Sequence, residues 1–183
     1  RNVFIGMSGT GTDDHPICNV PFPNVTVRNH LFIATKGDTT GGYCVWTRFV
    51  GQGGVTPATT NVWVYNNSAY SADSTGSAQL QFFRIEGAST VADVRNNVAF
   101  FPNATAPTVV RIIAGTVTQG TNTGDVGTVT TQPYVSATPA VAADFAITGK
   151  SPVSAGNSAL KVWNDYNAAT RASGPVDMGA VKA

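Results

Sequence analysis

Short runs of alternating apolar and polar residues recur along this chain, and each ends in nearly the same turn. Val25-Thr26-Val27 and Val62-Trp63-Val64 each place two valines on one side of an extended strand, which assigns the valines to the interior. The runs lead into Val27-Arg28-Asn29-His30, Val64-Tyr65-Asn66-Asn67 and Val94-Arg95-Asn96-Asn97. A second echo lies between them, in Thr47-Arg48-Phe49, Phe83-Arg84-Ile85 and Val110-Arg111-Ile112. Two interleaved signals that recur together predict a solenoid, with each repeat forming one coil stacked on the last. The asparagine series advances by 37 and then 30 residues, and the arginine series by 36 and then 27. Both shorten together, as expected if loop length varies while strand placement does not.

Two strand candidates fall in each coil. The first set is 24–35, 61–71 and 90–101; the second is 43–50, 78–86 and 108–115. A partial coil at 2–7 precedes them, and a strand near 127–131 closes the stack. Turn-rich stretches such as Gly51-Gln52-Gly53-Gly54 separate the strands, and no long helical periodicity interrupts them. Stacked coils place like residues above like, so Asn29, Asn66 and Asn96 are candidates for a buried amide ladder. From about Ser136 the strand signal fades and Pro, Ala and Gly increase. A solenoid needs an end cap, because its last coil otherwise exposes core and a free sheet edge. Residues 136–183 are therefore read as an irregular cap over coils spanning 1–135, with Trp163 and Tyr166 as its apolar plugs. The chain opens in mid-strand with Asn2-Val3-Phe4-Ile5, which reads as a processed or truncated product lacking N-terminal coils.

Composition agrees with a strand-and-turn protein. Only 11% of residues are charged and the net charge is +1, so the polar surface must come from Thr, Ser, Asn, Gly and Gln. No basic patch argues for nucleic acid, and no apolar run reaches the length of a membrane span. This palette suits a secreted or virion-surface protein. Cys18 and Cys44 form either one disulfide or two buried thiols, since their spacing carries no metal motif.

The C-terminal passage resembles a known family. Asp144-Phe145, Gly149-Lys150-Ser151-Pro152, Ala155-Gly156, Asp165-Tyr166, Arg171 and Val176-Asp177-Met178-Gly179-Ala180 follow in the order seen at the end of right-handed parallel β-helix proteins of the pectate-lyase-like group. The resemblance covers about the last 40 residues. It implies a three-faced coil with a groove along one sheet that binds polysaccharide. Members include lyases of uronate-containing polymers, glycoside hydrolases, surface adhesins and phage tailspikes, the last of which are homotrimers. For the lyases it implies a Lys or Arg base, in some members with Ca²⁺ held by acidic side chains.

The residues offer several candidates for such chemistry. Elimination at a uronate needs a base, a cation to neutralise the carboxylate and a donor for the leaving oxygen. Lys36, Arg48, Arg84 and Arg111 are the candidates, and the three arginines form a column on one sheet if each is one coil apart. The structural alternative is local pairing, or coverage of apolar surface by their stems. Alternation places Phe83 and Ile85 on one face and Phe82 with Arg84 on the other. Hydrolysis would need two carboxylates flanking the bond. Asp13, Asp14 and His15 are the densest titratable cluster, read either as an acid/base or Ca²⁺ site or as a solvated loop before Pro16. Glu86 with Asp93 is a second pair. His30 stands where later coils have Asn67 and Asn97, so it is a turn residue first and a substrate contact second. Among Trp46, Trp63, Tyr65 and Tyr70, alternation places Trp63 and Tyr65 opposite the inward valines, as an exposed platform for sugar C–H groups unless a long loop covers them. Three sequons, at Asn24, Asn66 and Asn103, complete the motifs. The expected function is binding of an extracellular, acidic polysaccharide along one face, with lyase cleavage ahead of hydrolysis. The alternative is a non-catalytic glycan-recognition or structural tail module.

Overall fold

Strands lie at the described positions of both sets that alternation predicts, and those of the first set break where an asparagine turns left-handed. The computed structural model describes residues 3–5, 24–34, 43–47, 60–72, 81–85, 88–104, 108–122, 131–148, 164–170 and 179–181. These are all-β, with no α-helix among the described residues and one short 3-10 turn, Ala142–Phe145. The strands are β1 (Val3–Ile5), β2 (Val25–Arg28), β3 (Leu31–Ala34), β4 (Tyr43–Thr47), β5 (Thr60–Tyr65), β6 (Ser68–Ser71), β7 (Gln81–Ile85), β8 (Thr90–Arg95), β9 (Val98–Phe100), β10 (Thr108–Ile112) and β11 (Thr116–Gly120). They form three sheets, parallel throughout. Sheet I runs β2-β5-β8-β11, sheet II β1-β3-β6-β9, and sheet III β4-β7-β10. From β2 the chain visits sheets I, II and III in the same order three times, then returns to sheet I at β11.

Each round therefore holds three strands where alternation alone indicated two. The single strands expected over 24–35, 61–71 and 90–101 are each a pair, divided at Asn29, Asn66 and Asn96 with φ of 54°, 52° and 58°. Left-handed backbone bends the chain sharply from one sheet to the next, and Asn tolerates that region better than most residues. A fourth such turn follows β11, where Thr121 takes a φ of 54°. β11 itself lies outside the expected strands, and the closing strand expected near 127–131 falls almost wholly outside the described residues.

The amide ladder exists, but its described side-chain rungs lie one residue later than expected. Asn67 donates through Nδ2 to Asn97 Oδ1 at 2.9 Å, and Asn97 donates to Asn122 Oδ1 at 3.0 Å. Each Oδ1 also accepts a backbone N–H from the preceding round: His30 to Asn67, Asn67 to Asn97 and Asn97 to Asn122, at 3.0, 3.0 and 3.1 Å. Each Nδ2 also reaches a carbonyl of the preceding round: Val27, Val64 and Val94, at 3.0, 3.0 and 2.8 Å. The rungs are buried, so these bonds satisfy turn groups that water cannot reach. The first asparagine of each pair supplies the left-handed bend, and the second supplies the ladder. His30 occupies the first rung position, as its place in the repeat predicted.

Two cores lie on opposite faces of sheet II. One holds Val27, Phe32, Val62, Val64, Phe82, Phe83, Ile85 and Val94, drawn from all three sheets, as the inward valines required. Phe82 is a correction. It is fully buried and stacks on Phe83 with ring centroids 4.0 Å apart, so strict alternation fails in β7. Its edge also meets Phe32 at 5.4 Å, and filling the space towards sheet II outweighs the outward orientation that the pleat favours.

The second core is covered by the C-terminal region. Leu31, Ile33, Tyr70, Val98 and Phe100 point away from the first core and pack with Tyr134, Phe145, Ile147, Ala180 and Val181. The Tyr134 hydroxyl accepts from Ala69 N–H at 3.2 Å, and its one proton is shared between the carbonyls of Ala69 and Val98, 3.1 and 3.0 Å away. Asn29 Nδ2 donates to Asn164 O, Ala180 N to Ser68 Oγ, and Gly179 N to Asn96 O. The region read as an end cap is thus, among the described residues, a strap laid sideways across three strands of sheet II. Tyr166 packs against this core; Trp163 lies outside the described residues.

Candidate functional site

The outward face of sheet I is the described surface where several functional side chains converge. Val27, Val62, Val64, Ala92 and Val94 face the core, which turns the intervening residues outward. Parallel register stacks those residues in rows. One row is Thr26, Trp63, Asp93 and Thr118; the next is Arg28, Tyr65, Arg95 and Gly120. A third, Asn61, Val91 and Thr116, lies on the other side, where Asn61 Nδ2 donates to Asn24 Oδ1 at 2.9 Å.

Trp63 and Tyr65 are partly buried, not fully displayed as expected. Part of the cause is their neighbours: the residues opposite them on β8 are Asp93 and Arg95, and Asp93 hydrogen-bonds with the Tyr65 side chain. Arg95 Nε lies 2.8 Å from Asp93 Oδ1. Neither atom has the geometry of a hydrogen bond, so the contact is an ion pair by proximity. Burial first, then the charge and hydrogen bonding of Asp93, hold the Tyr65 hydroxyl well above its ordinary value. Tyr65 therefore keeps its proton at neutral pH and donates it to Asp93, leaving the hydroxyl oxygen as an acceptor. Arg28 is exposed at the β2 edge of its row.

The arginine column is only partly assembled. Arg84 and Arg111 are direct partners in sheet III, as the repeat predicted. The next position down is Trp46, not Arg48. The expected alignment was two residues out, and a two-residue slip preserves which side chains face inward, so alternation alone cannot detect it. Arg48, Lys36, Asp13, Asp14, His15, Cys18 and Glu86 lie outside the described residues, and Cys44 is placed only through the backbone of β4. Among the described residues no three His, Cys, Asp or Glu side chains gather as a metal site. His30 is half-buried, its ring 6.1 Å from that of Phe32, and burial lowers its pKa from 6.5 to about 4. It lies at the bend between sheets I and II, away from the sheet III arginines. Tyr70 is buried under the strap beside Phe100 and offers no platform. Of the sequon residues, Asn24 and Asn103 are exposed and Asn66 is buried.

Arg28, Asp93 and Arg95 were not singled out as parts of one site. The signal was in the repeat itself: the residue before each left-handed asparagine is Arg28, Tyr65 and Arg95, and these form one row. No protein-family model, curated protein or solved structure matches the chain. Among the described residues no helix is long and apolar enough to cross a membrane.

Proposed function

We propose that this chain winds as a right-handed parallel β-helix and binds an extracellular polysaccharide along the outward face of sheet I. The repeated I–II–III order of parallel strands supports the winding, and the right hand follows from the preference of parallel crossovers. The order of motifs in the C-terminal passage, resembling the pectate-lyase-like group, points the same way. The observation that carries the binding reading is Trp63 and Tyr65 side by side on one outward face, with the Asp93–Arg95 pair on the next strand. An aromatic face takes sugar C–H groups, and the polar neighbours take hydroxyls. A linear glycan can cross four parallel strands without a closed pocket. This reading places the protein outside the cell or on a virion surface, either as a recognition module or as part of a longer enzyme or tail protein.

Affinity electrophoresis through gels containing a panel of polysaccharides tests it. At least one polymer should retard the protein, and Trp63→Ala should weaken that binding by about tenfold, as loss of a central aromatic anchor does. Retardation that is unchanged in Trp63→Ala would remove sheet I from the reading.

Lyase chemistry is a second reading, favoured by the direct pairing of Arg84 with Arg111. Arginines at paired positions on neighbouring strands suit the carboxylates of a uronate polymer. Its assay is absorbance in the unsaturated-uronate band. A rise lost in Arg84→Ala supports cleavage on sheet III, and binding without product leaves recognition alone.

A further inference from the structure

We infer that the sheet I subsite selects an uncharged pyranose over an acidic one. The inference rests on the polysaccharide reading above and assigns that site its substrate class. The expectation of an acidic polymer came from the arginine column, which belongs to sheet III. Sheet I is built differently. The residue beside Trp63 on the next strand is Asp93, and neighbouring parallel strands are only about 4.8 Å apart. A carboxylate carried by a sugar stacked on Trp63 would meet a carboxylate whose charge Arg95 already balances, and no free cation in that row.

Arg95 does not offset this, because it is already engaged at 2.8 Å by Asp93. A ligand anion would have to compete for that guanidinium while giving up its own hydration. The contacting atoms, Asp93 Oδ1 and Arg95 Nε, are sealed from solvent, yet each side chain keeps 23% exposure. The exposed part therefore comes from other atoms of a carboxylate side chain and a guanidinium side chain. Together they offer an acceptor and donors with almost no net charge. That pairing fits sugar hydroxyls, each of which both donates and accepts. Tyr65, whose proton is engaged by Asp93, adds an acceptor oxygen in the neighbouring row. Arg28 is the cation that argues the other way. It stands at the sheet edge, in the row of Tyr65 rather than that of Trp63.

The test compares acidic polymers with their own carboxyl-reduced forms, so that linkage and stereochemistry stay fixed while the charge is removed. Polygalacturonate, alginate and hyaluronan, each native and reduced, are titrated into the intact protein by calorimetry. For whichever backbone binds, the reduced form should bind at least fivefold more tightly, and Trp63→Ala should abolish the difference. Asp93→Asn frees Arg95 for a ligand anion, so it should narrow the preference severalfold. These comparisons start with the wild-type protein, so a variant that fails to fold does not decide the outcome. Tighter Trp63-dependent binding of a native acidic polymer would overturn the neutral-sugar inference and leave the glycan reading standing. Absence of Trp63-dependent binding to every polymer would overturn both.

Discussion

Asn97 donates and accepts in three successive rounds of the chain, and all of it happens out of contact with water. Its Oδ1 takes two donors from Asn67, and its Nδ2 reaches Val64 O and Asn122 Oδ1. Replacing it by alanine orphans several buried groups at once, each costing about 1–3 kcal/mol. Asn97→Ala should therefore lower stability in urea denaturation by about 3 kcal/mol or more, whereas exposed Asn103→Ala should change it little. Thr121 makes the opposite case. It holds a left-handed backbone that a β-branched residue adopts at a cost of about 1–2 kcal/mol, with its Oγ1 bonded to Asn96 Oδ1 at 2.7 Å. Thr121→Asn should raise the melting temperature by about 2 °C, the strain relieved exceeding the hydroxyl bond lost. His30 adds a pH dependence. Burial lowers its folded-state pKa from 6.5 to about 4, so the unfolded chain binds the proton more readily. Its contribution is fully present above pH 6.5 and is lost as pH falls towards 4. His30→Asn should flatten that part of the stability profile, as read by melts across pH, and extend the amide ladder by one rung.

At the scale of elements, the strap depends on one close approach. Gly179 has a φ of 82°, and a Cβ built there would stand 2.8 Å from Ser68 Oγ and 3.2 Å from Val98 Cγ2. This gives a physical reason for the Met178-Gly179-Ala180 passage that carried the family resemblance: only glycine lets the strap descend onto sheet II, where Ala180 and Val181 are buried. Gly179→Ala should loosen the strap, seen as faster amide exchange at Ala180 and Val181. The motif was legible as sequence, but its position was not. Nothing in a string of Pro, Ala and Gly distinguishes a plug over the end of a stack from a strap along its side. The same limit applied in sheet III, where a two-residue slip left Trp46 in the place expected for Arg48.

At the scale of the whole molecule, stability comes from two apolar layers that share sheet II. The first is closed by the three sheets themselves, and the second exists only while the strap is seated. Removing residues 131–183 should expose Leu31, Ile33, Tyr70, Val98 and Phe100 together, a patch large enough to bind ANS and drive association. A truncated chain that stays monomeric and ANS-silent would show that sheet II does not need its cover. Under the proposed glycan reading, a polymer that binds should stabilise the intact protein by about 2.7 kcal/mol at a hundredfold excess over Kd, because only the folded rows would present the site.

The sequence by itself determined the all-β class, the inward valines, the Asn turns and the pairing of Arg84 with Arg111. These are local or periodic properties: alternation has a period of two, and asparagine is among the few residues that tolerate a left-handed bend. Only the tertiary structure decided which asparagine of each pair bonds across rounds, that Phe82 turns inward, that the C-terminal region lies sideways, and that Asp93 and Arg95 stand beside Trp63 and Tyr65. Those outcomes depend on register and on packing between distant segments, and a chain read one residue at a time does not contain the distances that set them.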